Sequence, residues 1–191
     1  MDEELRALTE RLRQESGGSA AFGHLTATGD PDELAEVLTA PGQPLWAREL
    51  AAFRLGLAGD RRAFESLVLF LNHREPRRCA SAAYALARLG DPRTARAAAA
   101  LATNELRVAY ALHPVRLLTE LRAPESVPAL ITTLERRLRP HDPYQRVALA
   151  CVEGLGALGD ARARPVLNEA LAHPALAQAA VRALARIPKQ R

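Results

Sequence analysis

Lysine, aromatic residues and cysteine are all scarce in this sequence. Lys189 is the sole lysine among 26 basic residues, and aromatic residues make up 4% of the chain. A core with so few aromatics must be built mainly from alanine, leucine and valine. Because alanine and leucine strongly favour helices, the composition indicates an all-α protein. An arginine-rich, lysine-poor chain is also typical of a GC-rich bacterial genome, so the net charge of +4 is weak evidence for a nucleic-acid partner.

Long apolar runs and closely spaced cysteines are also missing. No stretch approaches the roughly 20 apolar residues that span a bilayer, and the opening residues, MDEELRALTERLRQE, are charged and amphipathic. Cys79 and Cys151 lie far apart within helical patterns, where we expect small buried apolar groups rather than a disulfide. These features predict a cytoplasmic protein that does not contact a membrane.

Residue patterns that carry catalytic or metal chemistry are absent too. The five histidines form no His-x-x-x-His or His-Glu pair, and the cysteines do not have zinc-site spacing. The sequence also contains neither a glycine-rich phosphate loop nor a serine-centred nucleophile motif. We therefore expect no catalytic residue, no metal and no cofactor. The sequence favours a protein that is not an enzyme and leaves open a catalytic triad assembled from distant residues.

A Gly-Asp corner recurs along the chain. It stands at Gly29-Asp30, Gly59-Asp60, Gly90-Asp91 and Gly159-Asp160, and a degenerate version lies at Ala123-Pro124. Glycine provides the left-handed residue that ends one helix, and aspartate caps the next helix by accepting a free backbone N–H. Each corner therefore predicts two antiparallel helices joined by a short turn.

The second helix of each pair repeats its apolar residues at fixed distances from the corner. Apolar side chains fall four, seven, eight and eleven residues after it, which is one face of an α-helix. The last pair departs from this pattern, with Arg164 four residues and Asn168 eight residues after its corner aspartate. The pattern predicts an N-terminal helix over 2–15, a closing helix over 175–187, and helix pairs between them at 20–28 with 31–40, 44–58 with 61–72, 76–89 with 92–103, 105–122 with 124–138, and 143–158 with 161–172.

Two segments carry a family resemblance. AAYALARLGDPRTARAAAALA (82–102) and CVEGLGALGDARARPVLNEAL (151–171) resemble HEAT-like repeats of the phycobilisome-lyase type in their helix–LGD–helix pattern. The resemblance covers roughly residues 20–188. It implies an all-α fold, a right-handed α-solenoid of about five HEAT-like helical hairpins plus terminal capping helices. It also implies an interaction surface more often than an enzyme.

The domain organisation follows from the same pattern. We expect a capping helix and a glycine-rich break over 1–19, a HEAT-like repeat domain over 20–188 and a basic tail over 189–191. Pro114 should kink the first helix of the fourth pair, because proline removes an intrahelical hydrogen bond. The connection RRLRPHDPYQR (136–146) is longer than the other turns and is either a solvated linker or a specificity loop.

Arginines near the starts of the first helices have an expected structural role. In HEAT-like repeats such arginines tie one unit to its neighbour, commonly through the corner aspartate. The residues concerned are Arg48, Arg77, Arg78, Arg107 and Arg146.

The second helices also present a row of outward-facing residues, which we expect to line the concave surface of the stack. Charged side chains of both signs flank a central stretch of alanines. This arrangement is typical of a surface that binds a peptide or helix of another protein. The predicted partner-binding residues on this row and in the 136–146 loop are Arg62, Leu69, Arg93, Arg96, Ala97, Ala100, Glu125, Thr132, Arg136 and Arg139.

Three functions are compatible with this surface. The favoured hypothesis is a non-enzymatic scaffold or adaptor that binds a partner protein or peptide on the concave face. One alternative is a nucleic-acid-binding or DNA-repair protein similar to the HEAT-like alkylpurine glycosylases. Its phosphate patch would comprise Arg93, Arg96, Arg136, Arg137 and Arg139. A further alternative is a bilin-lyase-like chaperone of a small cofactor.

Overall fold

Helices are the only regular secondary structure in the part of the chain that the structure describes, residues 3–188. In this computed structural model, helix accounts for 77% of the residues. The all-α prediction is therefore confirmed, while the handedness and the number of the repeats remain predictions. The chain divides into two compact units, Met1–Thr94 and Ala95–Arg191. The predicted tail over 189–191 lies outside the described residues.

In the first unit, α4 is the central helix. It packs against α2, α3, α5 and α6, and α1 lies against both α4 and α6. A short 3-10 turn, Arg61–Ala63, leads into α5. The helices of this unit are α1 (Glu3–Glu15), α2 (Ala20–Ala27), α3 (Pro31–Thr39), α4 (Leu45–Leu57), α5 (Phe64–Leu71) and α6 (Pro76–Leu89), and α7 (Arg93–Ala102) begins at the end of the unit.

In the second unit, α10 has the corresponding central position. It packs against α8, α9 and α12, and α11 packs against α9 and α12. Leu117, Leu130 and Leu155 are fully buried between these helices. Beyond α7, the helices of this unit are α8 (Leu112–Leu121), α9 (Ser126–Arg137), α10 (Gln145–Leu158), α11 (Arg164–Ala170) and α12 (Pro174–Arg186).

The corners form as the sequence predicts, with one exception. Gly59, Gly90 and Gly159 adopt left-handed backbone angles, with φ of 75°, 66° and 72°. In the degenerate corner Arg122 takes that conformation, with φ of 51°. The prediction is wrong for Gly29, since α2 ends at Ala27 and the chain leaves it through an extended Thr28, so no left-handed residue is needed.

Each corner aspartate caps the helical turn that follows it. The Asp30, Asp60, Asp91 and Asp160 carboxylates accept the backbone N–H of the second residue after them, at 2.8, 3.0, 2.9 and 2.8 Å respectively. This capping bond satisfies a backbone donor that a helix leaves free at its start. The short helix-to-helix turns therefore follow directly from the Gly-Asp sequence.

The predicted apolar stripe of the second helices is buried along its centre. Residues four, seven and eleven after the corner are buried in the middle pairs, for example Phe64, Leu67 and Leu71 in α5. Residues eight after the corner, such as Val68 and Ile131, are only half-buried. They lie one residue beyond the centre of the stripe, and one residue is a rotation of about 100° around the helix.

The fourth pair differs from its prediction at the first helix. Instead of one helix over 105–122 with a kink at Pro114, the chain forms a 3-10 segment, Glu105–Tyr110, and then α8. Arg107 within the 3-10 segment has non-helical backbone angles. Pro114 lies in the first turn of α8, where a missing backbone N–H costs no hydrogen bond. The helix therefore starts later rather than bending at the proline.

The packing gives Trp46 an aromatic partner and confirms the expectation for the two cysteines. The Trp46 ring lies edge-on against Phe22 with a 5.9 Å separation of the ring centres, so it fills the space between α2 and α4. Cys79 and Cys151 are both buried. Burial raises the pKa of the Cys151 thiol to about 12, which keeps it protonated and unreactive at neutral pH.

Candidate interaction surfaces

The predicted partner-binding residues lie on the accessible side of their helices. Arg62, Leu69, Arg93, Arg96, Ala100 and Arg139 are exposed, whereas Ala97, Glu125, Thr132 and Arg136 are half-buried. Ala129 and Val166, which helical spacing from the corner also predicts to face outward, are buried instead. Both stand six residues after their corner, next to the fully buried seventh position, so they mark the edge of the core face.

Two of the predicted arginines already bind acidic groups within the first unit. Arg62 holds the Asp60 carboxylate and also bonds Asp32 at 2.7 Å. Arg93 holds Asp91 and reaches Glu65 at 3.2 Å. The arginine hydrogen bonds lower the pKa of Asp60 and of Asp91, so both carboxylates stay charged in weak acid. These arginines therefore stabilise the corners through ion pairs, although their side chains are also exposed to solvent.

The expected role of the first-helix arginines is wrong in its detail. Asp60, Asp91 and Asp160 each form an ion pair with the arginine two residues later rather than with an arginine at the start of a first helix. That arginine already lies beside the aspartate that caps its own backbone N–H, so the reach is shorter. Arg78 instead bonds the carboxylates of Glu75 and Glu15, both at 2.6 Å.

Arg78 belongs to a buried ionic cluster that fastens α1. Glu49 of α4 is 2% exposed and accepts hydrogen bonds from Arg11 of α1, from Arg78 and from the Ser81 hydroxyl. Burial opposes the charge on Arg78, but the bonds to Glu15, Glu49 and Glu75 raise its pKa above its ordinary value. The cluster therefore joins three helices of the first unit through charged groups that have few contacts with water.

The 136–146 connection is attached to the second unit by two arginines. Arg136 donates to the Thr103 carbonyl at 2.7 Å, and Arg137, which is buried, bonds Glu105 and Asp142, each at 3.0 Å. With Arg93, three of the five arginines in the predicted phosphate patch are therefore paired with carboxylates of the chain itself. This pairing makes a phosphate-binding patch less favourable, because each phosphate contact would compete with an existing ion pair.

An apolar groove in the first unit contains Leu69. Its walls include Leu38, Leu45, Leu69 and Phe70, with Arg48 at one side, and its volume is about 190 Å³. Leu69 is 73% exposed and Leu45 is 44% exposed, and the two line the same groove, so they form an exposed apolar patch. The sequence indicated Leu69 but not Leu45 or Arg48, because both belong to the start of a first helix rather than to the second-helix row.

Arg48 adds a polar feature to this groove. One of its terminal nitrogens donates to the Ala40 carbonyl at 3.2 Å, but its Nε is buried without a hydrogen-bond partner among the described residues. The Arg48 guanidinium therefore places N–H donors beside the leucines of the groove.

A second, shallower groove in the second unit brings together two predicted residues. Glu125 and Thr132 line it with Ala99, Pro124 and Pro128, and its volume is about 450 Å³. Its walls come from α7, α9 and the turn before α9. Residues of the predicted row therefore line one groove in the first unit and one groove in the second unit.

His113 of α8 is a half-buried titratable group in the second unit. Burial, followed by the positive charges of Arg116 and Arg146, lowers its pKa below the ordinary 6.5. The unfolded chain therefore binds a proton more readily than the folded chain, and stability is lost as the pH falls below about 6.5. We expect His113→Gln to flatten the dependence of the unfolding free energy on pH between 5 and 7.5, measured by urea denaturation. Equal slopes for the variant and the wild type would contradict this assignment.

Two kinds of feature are not found within residues 3–188, a metal-ligand cluster and a membrane-spanning helix. In that range, no group of three His, Cys, Asp or Glu side chains is placed to hold a metal ion. Among the described helices, none combines the length and the apolar character needed to span a bilayer.

The described residues form helical hairpins with a groove in each unit. Residues 147–173 match the family model of the PBS lyase HEAT-like repeat. The matched residues include most of α10, the Gly159-Asp160 corner and α11. This match confirms the predicted resemblance and supports a HEAT-like repeat protein. No curated protein matches the chain.

Proposed function

We propose that this protein is a non-enzymatic scaffold that binds a partner protein or peptide on the face formed by its second helices. HEAT-like repeats are commonly protein-interaction scaffolds. The observation that carries the proposal is the groove beside Leu69, in which two exposed leucines adjoin the Arg48 side chain. Exposed apolar side chains around a groove are typical of sites where a partner's apolar side chain is buried.

The chemistry of the groove defines what the partner must supply. Leu38, Leu45 and Leu69 favour an aliphatic or aromatic side chain, because such a contact removes apolar surface on both molecules from water. The Arg48 side chain lines the same groove and carries several N–H donors, so it favours a hydrogen-bond acceptor on the peptide, and a backbone carbonyl is the simplest one. The groove therefore fits a short peptide segment with one anchoring apolar residue.

The other predicted residues have a supporting role in this proposal. Glu125 and Thr132 line the groove of the second unit and offer polar contacts there. Further contacts in that unit come from Arg96, Ala97 and Ala100 of the row and from Arg136 and Arg139 of the 136–146 loop. Arg62 and Arg93 contribute less than their exposure suggests, because their guanidinium groups already hold Asp60 and Asp91. Binding energy should therefore concentrate at the leucine groove.

Leu69→Asp tests the proposal directly. Introducing a carboxylate into an apolar groove should weaken partner binding by about tenfold or more, since the new charge must be desolvated. Folding should be unaffected, because Leu69 is 73% exposed. The measurement compares the proteins recovered by immobilised wild type and by the variant, followed by titration of each recovered protein against both.

Leu106→Asp is the matched control for that experiment. Leu106 is 92% exposed and does not line the groove, so the same substitution there changes the charge equally. A partner retained by L106D and lost by L69D supports the proposal. If every protein bound by the wild type is bound equally by L69D, the leucine groove is not the binding site.

A further inference from the structure

A cleft distinct from the two grooves lies on the side of the second unit that carries its first helices, away from the second-helix row. It is formed by α8, α10 and α12 and has a volume of about 370 Å³. Its floor consists of small residues of α10 and α12, including Gly154 and Ala183, and its rim carries Arg116, Glu153, Arg182 and Arg186. None of the predicted partner-binding residues lines it.

The rim is positively charged and its arginines have no ionic partner within residues 3–188. Arg116, Arg182 and Arg186 are exposed, and no ion pair or side-chain hydrogen bond engages them, in contrast to Arg62, Arg93 and Arg137. Glu153 is the single carboxylate of the rim. Arginines left unpaired around one cleft favour an acidic ligand.

In the first unit, an amphipathic helix, α1, covers the corresponding side of the first helices. There, α1 lies across α4 and α6, and carboxylate–arginine pairs fasten it, including Glu15 with Arg78 at 2.6 Å. Ser81, which belongs to that cluster, stands ten residues before its corner aspartate, and Ala150 of the cleft floor stands ten residues before Asp160. The cleft of the second unit therefore overlaps the position that an amphipathic helix occupies in the first unit.

The spacing of the cleft residues also suits a helix. Ala150, Gly154 and Ala157 repeat at intervals of four and three along α10, and Arg182 and Arg186 are four residues apart along α12. Side chains at this spacing form rows along a helix, and the side chains of another helix pack into the grooves between such rows. Two arginines one turn apart match two carboxylates one turn apart on the incoming helix.

We propose that this cleft binds an acidic amphipathic helix of a partner protein. The helix places small or apolar residues against the alanine and glycine floor and carboxylates against Arg182 and Arg186, with Arg116 on the opposite side. This site is separate from the leucine groove of the proposed function.

A synthetic peptide binding to the full chain tests this assignment. The probe is a fluorescein-labelled, alanine-rich helical peptide of 18 residues with leucines on one face and glutamates four residues apart beside them. Fluorescence anisotropy measures its affinity for the wild type and for R182E/R186E. We expect the charge reversal to weaken binding by about tenfold, because it replaces two attractions by two repulsions. R182K/R186K keeps the charge and should retain most of the affinity.

The matched control is R6E/R74E, which changes the net charge equally at two exposed arginines of the first unit. The proposal is supported if R6E/R74E binds the peptide within about twofold of the wild type while R182E/R186E does not. It is overturned if both variants weaken binding equally, since net charge alone would then explain it. A dimer of the wild type that R182E/R186E abolishes in sedimentation would also overturn it, because a second copy would then occupy the cleft.

Discussion

Replacing Glu49 with glutamine should lower the free energy of unfolding by about 3–5 kcal/mol. Glu49 is 2% exposed, and its carboxylate is shared by Arg11 and Arg78. Glutamine has nearly the same shape but no negative charge, so two largely buried guanidinium groups would lose the anion between them. Urea denaturation followed by circular dichroism measures the loss.

Glu65→Gln provides the control for this prediction. Glu65 also bonds an arginine, Arg93 at 3.2 Å, but its side chain is 77% exposed. An exposed ion pair contributes about 0–1 kcal/mol, so E65Q should unfold almost as the wild type does. Similar losses of unfolding free energy for E49Q and E65Q would show that burial does not strengthen the ion pairs of the cluster. In that case α1 is held chiefly by its apolar contacts.

Gly156→Ala should destabilise the second unit by about 1–3 kcal/mol, although alanine is the better helix former. A Cβ at Gly156 would lie 2.7 Å from both the Cα and the Cβ of Ala183. These atoms belong to the backbone of α12 or are fixed to it, so no side-chain rotation relieves the overlap. α10 and α12 would have to move apart.

Two other glycines make this prediction specific. Gly56 is at the same place before its corner as Gly156. Its Cβ would meet the Leu67 Cδ1 at 2.9 Å, which can move, and the Ala85 Cβ at 3.0 Å, which is fixed to α6 but less crowded than the 2.7 Å contacts of Gly156. Gly23 of α2 has open space around it. We expect G56A to destabilise less than G156A and G23A to stabilise by about 0.5–1 kcal/mol. Thermal unfolding of the three variants gives the order, and a stabilising G156A would contradict the close approach of α10 and α12.

The helix positions were predictable from sequence because their signals are local. A glycine that ends one helix and an aspartate that caps the next act within a few residues, as at Gly90-Asp91. The start of α8 was not predicted correctly, since the sequence offers no Gly-Asp corner there and the 3-10 segment before it has no strong local signal. Gly29 shows the converse, because a glycine in the pattern need not adopt the left-handed conformation.

The candidate surfaces were only partly predictable. The spacing from the corner correctly indicated Leu69, Glu125 and Thr132 as accessible, since exposure follows from helical periodicity. The pairing of Arg62 with Asp32 joins residues 30 positions apart and could not be read from one helix. The same holds for the contact of α1 with α4 and α6, which depends on tertiary packing rather than on a repeated pattern.

Photo-crosslinking in cells is the most direct test of the central claim that the second-helix face binds a partner protein. A benzophenone amino acid is placed at Leu69 in one variant and at Leu106 in another, both of which are exposed. We predict a discrete protein adduct from position 69 that position 106 does not give, and that Leu45→Asp in the same chain abolishes. Crosslinks of equal pattern from both positions, or an adduct with nucleic acid at position 69, would contradict the account.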